Sequence, residues 1–108
     1  MKCKKTAIAF ATLLLVTFHA VCQNPEQLAA EAAKAYNSMH FDQAIKLYGK
    51  IIDNGYVSSA LYYNLGNAYF RNNENAQAVL YYEKALKLSP NNSDIKHNIV
   101  VDNNTLGG

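Results

Sequence analysis

Cysteine is scarce in this sequence and absent from its main part. The chain has two cysteines, Cys3 and Cys22, and both stand before Gln23. From Gln23 onward no thiol is available. A disulfide, a zinc–thiolate site and a cysteine nucleophile are therefore excluded for that part of the chain.

The sequence also lacks an apolar run long enough for a typical membrane-spanning helix, which needs about 20 residues. Its uncharged, mostly apolar stretch covers residues 6–21 and is interrupted by two threonines and a histidine. Lysines stand at positions 2, 4 and 5, just before this stretch. A positive start followed by a short apolar run is typical of a secretory signal peptide. We therefore predict a signal peptide over residues 1–22 and an exported protein.

Two fates of Cys22 remain open. Ala20 and Cys22 are small residues at the two positions that a signal peptidase reads, which favours cleavage after Cys22. The alternative is that Cys22 is the lipidated cysteine of a bacterial lipoprotein, although Val21 fits that pattern poorly.

A basic patch is missing as well. The formal net charge of +2 includes three lysines of the predicted signal peptide, and without them seven basic residues face eight acidic ones. Nothing in this balance indicates a nucleic-acid partner.

Catalytic constellations are likewise missing. His40 and His97 have no metal-ligand spacing and no nearby acid–nucleophile grouping. The glycines at 49, 55 and 66 do not have the spacing of a phosphate-binding loop. We therefore predict no enzyme activity, no cofactor, no metal and no small-molecule substrate.

An internal repeat organises the rest of the chain. The stretch FDQAIKLYGKII, residues 41–52, aligns with NAQAVLYYEKAL, residues 75–86, at an offset of 34. We call residues 25–58 the first unit and residues 59–92 the second unit, and we predict a capping helix over residues 93–106. Each unit is expected to form two helices. Asn24 with Pro25 and Gln27 is typical of a helix start, and Gly55 suits the left-handed residue that ends a helix.

Gly66 is unusual because a glycine inside a helix costs about 1 kcal/mol relative to alanine. We expect it to lie opposite Ala78, as Ala32 lies opposite Ala44, so that paired helices approach closely. By the repeat register, Tyr62 and Tyr82 are expected in the core. On the fifth helix, Ile95, Ile99 and Val100 are expected to seal the second unit.

The second unit strongly resembles the tetratricopeptide repeat (TPR) family. The residues that carry the resemblance are Tyr62, Leu65, Gly66, Tyr69, Ala78, Tyr82, Ala85 and Pro90. The resemblance implies an all-α helix-turn-helix solenoid that binds a protein or an extended peptide. In particular, the runs YYNLGNAY and DIKHN are similar to the TPR proteins of the Bacteroides aerotolerance (Bat) operon. That finer resemblance implies a complex in the periplasm or cell envelope of a Gram-negative bacterium, linked to oxygen tolerance.

By the same resemblance, the partner binds in the concave groove formed by the first helix of each unit. Position by position, the groove residues are Tyr36, Asn37, Tyr63, Asn67, Phe70, Arg71, His97, Asn98 and Val101. Asn67 and Asn98 match two asparagines that hold a peptide in chaperone-binding TPR proteins. Tyr63 stands where those proteins have a lysine, so a clamp for a C-terminal carboxylate is not expected.

An alternative function is structural. Repeat proteins bury their faces on neighbouring units, and about three units are needed for stability. With two units and one further helix, the array could associate with itself as a homo-oligomer and use no groove ligand. The alanine-rich first helix, with Ala29, Ala30, Ala32 and Ala33, is expected to lack a cover.

Overall fold

The computed structural model describes residues 24–107, with side chains as far as residue 104. The predicted signal peptide and the cleavage or lipidation at Cys22 lie outside these residues. Within residues 24–107 the secondary structure is entirely helical. The helices are α1 (Pro25–Asn37), α2 (Phe41–Asp53), α3 (Ser59–Arg71), α4 (Asn75–Leu88) and α5 (Ser93–Gly107).

The helices pack in chain order. α1 contacts α2, α2 contacts α3, α3 contacts α4, and α4 contacts α5. The starts of α1, α3 and α5 recur at the offset of the sequence repeat, as do the starts of α2 and α4. This arrangement confirms the predicted all-α helix-turn-helix solenoid. None of the helices in residues 24–107 has the length and apolarity that crossing a membrane requires.

Side-chain caps define the starts of the odd-numbered helices. The backbone N–H of Gln27 donates to Asn24 Oδ1 at 2.7 Å, and that of Leu61 donates to Ser58 Oγ at 3.0 Å. Asn92 Oδ1 accepts from the N–H groups of Asp94 and Ile95 at 2.9 and 3.1 Å. These bonds satisfy N–H groups that have no partner within the helix.

The turn inside each unit places one residue in the left-handed region. Met39, between α1 and α2, has φ +64°, and Asn73, the equivalent residue of the second unit, has the same value. Gly55, after α2, has φ +96°, as its position at a helix end predicts. Asparagine and glycine adopt this conformation readily, whereas methionine does so at a cost.

The buried apolar residues form two clusters. The first joins α1, α2 and α3 and contains Leu28, Ala32, Ala35, Ala44, Leu47, Tyr48, Ile51, Leu61, Leu65 and Ala68. The second joins α4 and α5 and contains Ala78, Tyr82, Ala85 and Ile95. Tyr69 of α3 packs against both clusters and so links them.

Two expectations about packing need correction, and a third holds in part. Tyr62 is half-buried: it packs against the second cluster, and its ring lies beside Tyr81, 5.9 Å between centroids, with the Lys84 ammonium above both rings. On α5, Ile95 is 1% exposed and seals the second unit, but Val100 is 57% exposed and does not. The expectation that α1 lacks a cover is wrong for Ala32, which is fully buried against the first cluster, whereas Ala30 and Ala33 are exposed.

The reason for Gly66 also differs in detail from the expectation. A Cβ at this position would meet Tyr82 Cδ1 at 2.6 Å and Cε1 at 2.7 Å, and the Ala78 carbonyl oxygen at 3.3 Å. The closest neighbour of Gly66 is therefore the Tyr82 ring, and the backbone of the facing helix lies farther away.

Candidate functional site

An open cavity of about 190 Å³ lies between the two units. Side chains of α1, α2 and α3 line it: Ala33, Tyr36, Asn37, Tyr48, Asn64 and Asn67. None of the six is charged. The polar groups that face the cavity are carboxamides and tyrosine hydroxyls, which can exchange hydrogen bonds with an uncharged polar ligand.

Between the second unit and α5, the equivalent region contains a hydrogen-bond network. Tyr82 Oη–H donates to Asn67 Oδ1 at 2.6 Å. Asn98 Nδ2 donates to Tyr63 Oη at 3.1 Å and to Asn67 Oδ1 at 3.3 Å. The rings of Tyr63 and Tyr82 lie 5.9 Å apart between centroids. We call these four residues the tyrosine–asparagine network.

Tyr82 is the buried centre of this network. Burial raises the pKa of its hydroxyl well above the usual value of 10.0, and the neighbouring carboxyl of Asp102 and hydroxyl of Tyr63 raise the pKa further. The hydroxyl therefore stays protonated and acts as a hydrogen-bond donor to Asn67.

The difference between the two spaces follows from the repeat register. Asn64 and Asn98 occupy the same position in successive odd-numbered helices. Asn98 is bound by Tyr63 and Asn67. In the first unit the equivalents of these two residues are Ala29 and Ala33. Alanine offers no side-chain oxygen and little volume, so Asn64 faces an open cavity where Asn98 faces bonding partners.

An aromatic and cationic group lies beside the cavity at its lining residue Tyr36. The Tyr36 ring meets the Phe41 ring edge-on at 5.3 Å between centroids. The Arg71 guanidinium lies above Phe41 at 4.9 Å and Tyr36 at 5.8 Å, within the range of a cation–π interaction. Arg71 thereby connects the second unit to the first.

A neighbouring polar contact also joins the units. Asn72 Nδ2 donates to Asp42 Oδ1 at 2.9 Å and to Glu74 Oε2 at 2.6 Å. The bond to Asp42 gives the turn between α3 and α4 a polar link to the first unit.

The structure places the predicted groove residues in three groups. Tyr36, Asn37 and Asn67 line the cavity, and Asn67 also belongs to the network with Tyr63 and Asn98. Phe70 is half-buried against the second cluster, and Arg71 is exposed above its two rings. His97 and Val101 are exposed on α5. Whether these residues bind a partner stays a prediction.

Sequence reasoning missed three residues of this region. Asn64 could have been found from its repeat relation to Asn98, and Tyr48 from its repeat relation to Tyr82. Asp102 gave no signal, because its position corresponds to Ala68, a small core residue, and a carboxyl group is not expected there.

Metal binding has no geometric support in residues 24–107, where no group of three His, Cys, Asp or Glu side chains is arranged to hold an ion.

Comparison with known proteins identifies the second unit. Residues 59–92 match the family model of the tetratricopeptide repeat. The match covers the second unit from end to end and supports the TPR family. No curated protein matches the chain, and the finer resemblance to the Bat operon proteins stays a prediction.

Proposed function

We propose that this chain, whose second unit matches the tetratricopeptide repeat, binds an extended segment of a partner protein in the cavity between its two units. The TPR family supports a protein-interaction module in general. The choice of this cavity is our own and is supported by one observation. Asn64 faces open space at the position where Asn98 is held by Tyr63 and Asn67.

The chemistry of the lining favours a peptide backbone as ligand. The carboxamides of Asn37 and Asn64 each carry an N–H donor and a C=O acceptor, the two groups that an extended backbone presents in turn. The cavity lining contains no cation. The Arg71 guanidinium, which lies beside the lining residue Tyr36, is already engaged above the rings of Phe41 and Tyr36. We therefore propose that the ligand is an internal segment and not a C-terminal carboxylate.

The setting of this interaction extends the proposal. On the predicted signal peptide and the resemblance to the Bat operon proteins, we place the protein in the periplasm or cell envelope of a Gram-negative bacterium, within a complex that supports oxygen tolerance. The partner would then be another envelope protein.

The groove assignment is tested with a displayed library of random dodecamer peptides, selected on the protein. A selected sequence is synthesised with blocked termini, and its affinity is measured by fluorescence anisotropy. In the double variant Asn37→Ala with Asn64→Ala, two ligand hydrogen bonds are lost. At about 1 kcal/mol each, the affinity should fall on the order of tenfold or more.

A matched control uses Gln43→Ala with Gln77→Ala. These are two exposed carboxamides at equivalent positions of α2 and α4, and neither lines the cavity. This variant should bind like the parent protein. Failure to select any peptide, or equal affinity for the Asn37/Asn64 variant, would contradict binding in this cavity.

Self-association remains a second candidate because of one exposed side chain. Val100 of α5 stands at the position of Gly66, which in α3 is covered by Tyr82 of the following helix, yet Val100 is 57% exposed. A helix from another copy could cover it. Light scattering at micromolar concentration tests this candidate. A parent protein that is a dimer, and that Val100→Asp converts to a monomer, supports self-association. A monomeric parent protein excludes it.

A further inference from the structure

One carboxyl group is buried without a partner. Asp102 of α5 is 0% exposed. Among the residues whose side chains the structure describes, it is the one buried polar or charged residue. Neither Oδ1 nor Oδ2 has a hydrogen-bond partner. An ionised carboxylate in such a place is strongly disfavoured relative to the neutral acid.

Among the residues that the structure describes, no cation compensates the charge of Asp102. From α4 the facing titratable group is the hydroxyl of Tyr82, and from α3 Tyr63 packs on the Tyr82 ring. On α5 itself the charged or titratable residues are Asp94, Lys96 and His97, all exposed. Burial alone raises the pKa of Asp102 above its ordinary value of 3.8.

The same helix also occupies polar atoms of the groove. Asn98, one helical turn before Asp102, donates to the Tyr63 hydroxyl and to Asn67 Oδ1. While α5 is docked, these two atoms are engaged by the protein itself. If α5 moves away, the Tyr63 hydroxyl loses its bond from Asn98, and Asn67 Oδ1, which lines the edge of the cavity, keeps only its bond from Tyr82 Oη–H.

We propose that α5 is a proton-dependent gate, which is docked while Asp102 is neutral and loosens when Asp102 ionises, releasing Tyr63 and Asn67. The use of the released atoms by a ligand rests on the function proposed above. The docking equilibrium itself does not, and it can be measured without any ligand.

The direction of the pH effect follows from the raised pKa. Docking of α5 is strongest below pH 3.8, where Asp102 is protonated whether the helix is docked or free. It weakens as the pH rises through the raised pKa of the docked state. For each pH unit between the two values, the docking equilibrium changes about tenfold.

The test is hydrogen–deuterium exchange of the protein at about pH 3.5, below the ordinary pKa of Asp102, and at about pH 8, corrected for the intrinsic exchange rates. We expect the protection of α5 to fall between these pH values relative to that of α2. In Asp102→Asn, which keeps the shape and removes the charge, the protection of α5 should be the same at both pH values. Asp94→Asn, an exposed acid on the same helix, should behave like the parent protein.

Two results would overturn the gate. One is a parent protein whose α5 protection does not change between the two pH values. The other is an Asp102→Asn variant that keeps the full change, which would assign the change to another group. If Asp102→Asn does not fold, Asp102→Ala serves instead, because it copies Ala68 of α3. If the protection of α5 responds to pH as proposed but no peptide binds, the docking equilibrium is supported and the proposed groove function is contradicted.

Discussion

Gly66 and Gly49 offer a direct test of the packing between α3 and α4. Both are glycines inside helices, so replacing either by alanine brings the same gain in helix propensity, about 1 kcal/mol. Their surroundings are opposite. A Cβ at Gly49 meets nothing within 4 Å, whereas a Cβ at Gly66 meets two atoms of the Tyr82 ring at 2.6 and 2.7 Å.

The cost at Gly66 depends on how freely the ring can move. In the first unit the equivalent pair is Ala32 and Tyr48, so an alanine beneath a tyrosine is tolerated there. Tyr82 is held more firmly, because its hydroxyl bonds Asn67 and its ring packs on Tyr63. The equivalents of those two residues in the first unit are alanines. Overpacking of a fixed group costs about 1–3 kcal/mol.

We therefore expect the two substitutions to differ in their effect on stability. Gly49→Ala should stabilise the protein by up to about 1 kcal/mol. Gly66→Ala should be less stable than Gly49→Ala by about 1–3 kcal/mol, since the propensity gain is common to both and the difference measures the contact alone. Urea unfolding followed by circular dichroism gives both free energies, and for a chain of this size 1 kcal/mol corresponds to a shift of about 4–8 °C in Tm.

The result that would refute the reasoning is a Gly66→Ala variant as stable as Gly49→Ala. A second measurement separates the cause. In the background Asn67→Ala the Tyr82 ring loses its hydrogen bond and gains room, so the penalty of Gly66→Ala should become smaller. An unchanged penalty would place the conflict at the Ala78 carbonyl instead.

Three further predictions concern single positions. Met39→Asn should stabilise the protein by about 1 kcal/mol, because asparagine accepts the left-handed backbone at φ +64° as Asn73 does; urea unfolding would contradict this if the midpoint fell. Tyr82→Phe should cost about 1 kcal/mol through the lost hydrogen bond to Asn67. Because the folded pKa of Tyr82 is raised, stability should also be lost as the pH rises above 10.0; an equally steep alkaline loss in the variant would refute this. Ser58→Ala should cost about 1 kcal/mol, typically within 0.5–2, by removing the cap of α3, and an unchanged Tm would exclude a role for the cap.

The sequence predicts the helices well because the repeat supplies independent signals at one spacing. Asn24 and Gly55 mark ends of helices by their own chemistry, and the structure places both as predicted. The orientation of a side chain depends on neighbouring residues that the repeat pattern does not take into account. The register predicts Tyr62 in the core, yet Tyr62 is only half-buried, with its ring beside Tyr81.

The candidate site is less accessible to sequence reasoning, for a physical reason. A cavity forms where side chains are small. The alanines at 29 and 33 indicate one only when they are compared with Tyr63 and Asn67, the equivalent residues of the second unit. Asp102 is buried because α5 docks against the second unit, and a carboxyl group on a short polar segment gives no hint of that. Both features result from tertiary packing.

Tyr69 contributes to how the chain should respond to heat. In a repeat protein each unit has its own stability, and coupling between neighbours decides whether they melt together. Tyr69 packs against both apolar clusters and stacks on the Tyr81 ring of α4, so it is one of the residues that couple the clusters. Truncation of Tyr69 to alanine should weaken this coupling, and the van't Hoff enthalpy of unfolding should then fall below the calorimetric enthalpy.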